Sequence, residues 1–119
     1  MNKILFYEKE NGENPVKEFL NTLPFKHKTK ALWEIDLLKQ FGRQLKEPYV
    51  KKIKGERYKD LWELRIQFSS DISRILYFTK KEDTFVLLHG FLKKTDKTPV
   101  NELEIANKYK EDCLKWGLI

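Results

Sequence analysis

LWELRIQFSSDISRILYFTKKEDTFVLLHGFL, residues 61–92, is the stretch whose reading decides the fold. In LWELRIQF (61–68) apolar and polar residues alternate, so Trp62, Leu64 and Ile66 fall on one face and Glu63 and Arg65 on the other. SRILYFT (73–79) follows the polar turn SSDI, and TFVLLHGFL (84–92) follows KKED. Three apolar runs joined by turns this short predict an antiparallel meander.

Outside the meander the period changes. KILFY (3–7) reads as a short strand, and KENGEN as the turn after it. Asn14 is placed to cap a helix that has Pro15 at its first position, with Val16, Phe19, Leu20 and Leu23 at helical spacing. Pro24 ends that helix. A second helix is predicted over about 25–41, with Ala31, Ile35 and Leu38 as its apolar stripe, Leu32, Leu37 and Phe41 beside it, and Gly42 as its stop. Thr98 and Pro99 repeat the cap-plus-proline signature ahead of a last helix with Ile105, Ala106, Tyr109, Cys113 and Trp116 on its apolar face. The predicted order is β-α-α-β-β-β-α, an α+β domain with its helices on one face of a mainly antiparallel sheet.

The chain has 119 residues, enough for one domain with its own core. Its apolar start, Ile4 to Tyr7, is too short for a signal-peptide core or a membrane span, so a cytoplasmic protein is expected. Cys113 is the single cysteine, which excludes an internal disulfide and leaves a small core residue as its reading. No glycine-rich phosphate loop, Cys/His metal spacing or nucleophile elbow is present. His27, inside PFKHKTK, reads as a solvent-facing helix residue, and His89 as a strand histidine that is either structural or a proton-transfer group.

A net charge of +6 points to an anionic partner. Arg65 and Arg74 flank one turn, so a hairpin brings them together. Lys93 and Lys94 leave the next strand, and Lys51, Lys52, Lys54 and Arg57 precede the Arg65 strand. Glu63 is the one carboxylate among them. Unpartnered like charges are costly to gather unless a polyanion is to be bound. The bland alternative is a scatter of lysines that protects a sheet edge.

LWELRIQFSSDISRILYF followed by VLLHGFLKKTDKTPVNELEIA resembles the HigB-like toxins of the phage-derived Gp49 type, within the RelE superfamily. The likeness spans nearly the whole chain and is strongest in LWELR, SRILYF and HGFLKKT-x-x-TP. It implies a RelE-like fold and a toxin of a toxin–antitoxin pair that cleaves messenger RNA, commonly on the ribosome, without metal or cofactor. It also implies a partner antitoxin carrying a helix-turn-helix domain (HigA-like), with no specific DNA contact by this chain. Carried over, Arg74 matches the arginine on the scissile phosphate, Arg65 a basic strand position and Lys94 a basic residue at the end of the last strand, with Lys93 beside it. Lys52, Lys54, Arg57 and Lys93 would hold flanking RNA. The RelE-type tyrosine near the C-terminus has no matching position, Tyr109 lying deeper in the last helix, so the base is open between His89 and a lysine. The alternatives are a non-catalytic module that binds RNA or protein and, behind it, a DNA-binding regulator.

Overall fold

A computed structural model describes residues 2–94 and 96–117. Strand β1 (Lys3–Phe6) is followed by helices α1 (Pro15–Thr22) and α2 (Phe25–Phe41), then β2 (Val50–Lys52), β3 (Trp62–Phe68), β4 (Asp71–Lys80), β5 (Thr84–Leu92) and helix α3 (Val100–Trp116). Single 3-10 turns at Gly42–Gln44 and Glu56–Tyr58 flank β2. Among the described residues five strands form one sheet in the order β1-β5-β4-β3-β2. β1 runs parallel to β5 and the other pairs are antiparallel, so the predicted meander is the centre of a mixed sheet.

The local signals that punctuate the chain act as expected. The Asn14 side chain accepts a hydrogen bond from the Lys17 backbone N–H at the start of α1. α2 stops at Gly42, whose φ of 54° suits a residue without a Cβ. The α3 start differs. Pro99, whose side chain cannot cap, stands at the cap position, and the Thr98 hydroxyl donates to Glu63 across the domain.

Helices cover both faces of the sheet, not one. On the first face Leu64, Ile66, Ile75, Tyr77, Phe85 and Leu87 pack against Val16 and Leu20 of α1 and Ala31, Ile35 and Leu38 of α2. On the second, Leu76, Phe78, Val86, Leu88 and Phe91 pack against Leu103, Ala106 and Cys113 of α3. A sheet with helices packed on both faces needs two apolar faces, and alternation within β4 and β5 supplies both. Leu64, Leu76, Leu87 and Leu88 are fully buried, each worth about 2 kcal/mol of transfer free energy. The predicted stripes are too wide: Leu32 and Phe41 of α2 stay nearly half exposed, and Trp116 of α3 is exposed. Among the described residues no helix is long and apolar enough to cross a membrane.

One irregularity in β5 sets the direction of the side chains near its end. Leu76 of β4 pairs with His89, but Tyr77 pairs with Leu87, so Leu88 is an extra residue. This bulge resets the alternation of the strand. Val86 and Leu88 face α3 before it; after it the odd-numbered side chains do, with His89 against Glu102 and Phe91 in the α3-side core. Gly90 consequently meets α1, where a Cβ would lie 2.3 Å from Phe19.

Candidate functional site

The polar end of the α3 face carries a cluster built on Glu63, Arg65, Arg74 and Lys93. Arg65 and Arg74 are direct cross-strand partners in the β3–β4 ladder. Like charges so placed repel unless something stands between them. Glu63 does: its Oε1 is 3.8 Å from Arg65 Nε and 3.7 Å from Arg74 Nε, while its Oε2 accepts from Thr98 Oγ1 at 2.8 Å. The carboxylate is 3 % exposed. It is a bridge at longer than hydrogen-bonding distance.

Arg74 is the most constrained member. It is 4 % exposed, its Nη1 donates to the Ser73 carbonyl at 2.9 Å, and its Nε is buried without a hydrogen-bond partner. Burial lowers its pKa from the ordinary arginine value, Glu63 opposes that shift and Arg65 adds to it. An arginine stays charged through such changes. A buried guanidinium with an unmet donor is costly by itself and becomes favourable when an anionic oxygen arrives.

Lys93 completes the group. Its pKa is lowered chiefly by burial, with Glu63 raising it and Arg74, Arg65 and Lys51 lowering it further. Lys51 pairs across the ladder with Glu63, which puts it on the same face. On the α3 face, among the described residues, one carboxylate thus faces four cations, an excess of three positive charges; Glu34 of α2, which also acts on Arg74, is paired with Lys30.

The sequence-predicted residues divide accordingly. Arg65, Arg74 and Lys93 come together. Lys94 does not join them: it is exposed, and although it shares with Lys93 a cleft bordered by Ser70, Asp71 and Asp96, Lys93 is the one that interacts with Glu63 and the arginines. The β5 bulge is the reason, since uninterrupted alternation would have carried the even-numbered lysine to the arginine face. His89 lies on that face one row away, opposite Leu76, with Nε2 2.9 Å from Glu102 Oε1 and its ring stacked on Phe91. Arg57 is held by Glu104 of α3 through two hydrogen bonds of 2.6 and 2.7 Å. Lys54 is exposed beyond β2, and Lys52 faces away from Lys51 on that strand.

Two participants escaped sequence reading. Thr98 reads as a helix cap and instead anchors Glu63. His27 reads as a surface residue but is 1 % exposed, with Nε2 2.9 Å from Ser73 Oγ, so it braces β4 from the α2 side next to Arg74. Among the described residues no three His, Cys, Asp or Glu side chains are grouped to hold a metal ion.

A mixed sheet clasped by two N-terminal helices and one C-terminal helix is an α+β domain compatible with a RelE-like fold. Residues 18–111 match the family of phage-derived Gp49-like proteins (DUF891), and the chain belongs to that family, part of the RelE/HigB-like toxin group. A search of the curated proteins gave no match. Membership points to the toxin of a toxin–antitoxin pair.

Proposed function

We propose that this chain is a metal-independent endoribonuclease that cleaves messenger RNA, acting on or near the ribosome. The observation that carries the reading is the buried Arg74 with its unmet Nε, set beside Arg65 and Lys93 around a single carboxylate. In the reaction the 2′-hydroxyl attacks the adjacent phosphorus, the bond from phosphorus to the 5′-oxygen breaks, and a 2′,3′-cyclic phosphate and a 5′-hydroxyl result. Charge develops on the phosphorane oxygens. Fixed cations in a site shielded from water stabilise it most.

Arg74 and Arg65 bind the scissile phosphate, with Glu63 and Thr98 holding both guanidinium groups in register. Lys93 is assigned proton transfer, since burial and neighbouring cations enlarge its neutral fraction. Lys94, Lys54 and Lys51 guide the flanking strand. A cognate antitoxin with a helix-turn-helix domain would silence the toxin by covering this basic face. The second reading is a non-catalytic RNA-binding module; in its favour, His89 is engaged by Glu102 on α3 and His27 by Ser73 on the opposite face.

Induction of the wild-type chain and of Arg74→Ala in a bacterial host, with primer extension on host transcripts, separates the two. Growth arrest with discrete new 5′ ends, lost in Arg74→Ala, is expected. Equal behaviour of two folded proteins, with no new ends, would leave the binding module.

A further inference from the structure

At the opposite end of the sheet lies a second concave surface of about 580 Å³. Arg43, Lys52, Lys59, Lys80, Lys81 and Lys110 line it, and Asp60 is its one carboxylate. Asp60 pairs with Lys110 at 3.3 Å and Lys59 with Glu56 at 3.4 Å. Arg43 donates to the Lys81 carbonyl, and Arg43, Lys52 and Lys81 make no ion pair among the described residues. Trp62, partly exposed, lies among these cations. Arg43, Lys52 and Lys81, cations without an ion pair among the described residues, gathered round an aromatic ring are the arrangement that tracks a nucleic-acid backbone while offering a base a surface to stack on.

The edge strand links this groove to the arginine cluster. Successive residues of β2 point to opposite faces, so Lys51 turns toward Glu63 and the arginines while Lys52 lines the groove. Along β4 the two regions are separated by three strand steps from Arg74 to Tyr77, about 10 Å. Lys51 and Lys52 thus place one cation on each side of the sheet edge between the two regions, which suits a polymer rather than a single nucleotide.

We propose that the groove lined by Lys52, Lys81, Arg43 and Trp62 is a second binding site for single-stranded RNA, taking the continuation of the strand held at Arg74. It rests on the ribonuclease reading for the identity of the polymer, but its test does not need cleavage. In an Arg74→Ala background, Lys52→Ala/Lys81→Ala is titrated with a labelled single-stranded RNA of roughly a dozen nucleotides, within the span such grooves cover. Losing two phosphate contacts should lower the slope of log affinity against log salt by about 1.4 and weaken binding about tenfold at physiological salt. Trp62→Leu should weaken binding without changing that slope.

Affinity and slope unchanged in the double lysine variant would overturn the proposal, whatever Trp62→Leu does to folding. Equal losses for single-stranded and duplex RNA would also overturn it, because a stacking groove needs unpaired bases. If Arg74 proves irrelevant to cleavage while the lysine pair still controls affinity, the nuclease reading fails and this site stands.

Discussion

Replacing Glu63 by Gln should make the protein less stable and a better RNA binder at once. The substitution keeps shape and leaves an acceptor for Thr98 Oγ1, but removes the negative charge that bridges the arginines. At 3.7 Å and an effective dielectric constant near 20, the attraction lost to Arg74 is about 4 kcal/mol. The Arg65 contribution is smaller, since that side chain is 32 % exposed and screened. Against this, a buried carboxylate no longer has to be stripped of water, which returns part of several kcal/mol. The net expectation is a destabilisation of about 2 kcal/mol. With an unfolding entropy of about 0.25 kcal/mol/K for a domain of this size, Tm should fall by about 8 °C, which calorimetry at neutral pH measures directly.

The same change raises the uncompensated charge of the cluster from three to four. Equilibrium binding of single-stranded RNA should tighten about fourfold at physiological salt, and its salt slope should steepen by about 0.7. A site organised for stability alone would lose stability and gain nothing. A Tm equal to or above that of the wild type would refute the claim that Glu63 holds the arginines together. An unchanged salt slope would refute the claim that the cluster faces RNA.

Three further outcomes concern the packing and the titration of single groups. Gly90→Ala places a methyl group 2.3 Å from Phe19, and should cost about 2 kcal/mol, read as a lower urea midpoint at constant m. Glu104 is held at a pKa of about 2, first by its hydrogen bond from Arg57 and then by Tyr58, against an ordinary value of 4.5. A depressed carboxylate pKa stabilises the fold above the ordinary value and loses that contribution as pH falls through the folded one. The stability gap between the wild type and Glu104→Gln should therefore be constant above about pH 4.5 and close between there and pH 2; acid titration followed by circular dichroism checks it. The Cys113 thiol is pushed up to about 11 by burial, so its thiolate fraction at pH 8 is about a hundredfold below that of an ordinary cysteine. Iodoacetamide should label it slowly in the native protein and readily in urea.

The parts of the fold legible in the sequence are those fixed by neighbouring residues. Asn14 and Pro15 announce α1 because capping is a local hydrogen bond, and Gly42 stops α2 because its backbone adopts a positive φ. Arg65 and Arg74 could be paired from sequence because a short turn sets the hairpin register. What escaped depends on contacts between distant segments. β2 is three residues long and exists through pairing with β3, so no periodicity marks it. His27 looks solvated among lysines, yet Ser73 draws it into the interior from 46 residues away. Thr98 has the sequence context of a cap and spends its hydroxyl on Glu63, 35 residues back. The β5 bulge decided between two adjacent lysines; His-Gly at 89–90 is the one local hint, since an interior glycine often marks a bulge or a close approach.

If Arg74 acts on the phosphate of an RNA strand cut by its own 2′-hydroxyl, the cleaved ends must carry the mark of that chemistry. The most direct test is to incubate purified wild-type protein and Arg74→Ala with a defined messenger on ribosomes, then identify the termini by mass spectrometry. Fragments ending in 2′,3′-cyclic phosphate and beginning with 5′-hydroxyl, formed by the wild type and absent or strongly reduced with the variant, are predicted. Ends carrying 3′-hydroxyl and 5′-phosphate, or cleavage that survives the loss of Arg74, would contradict it.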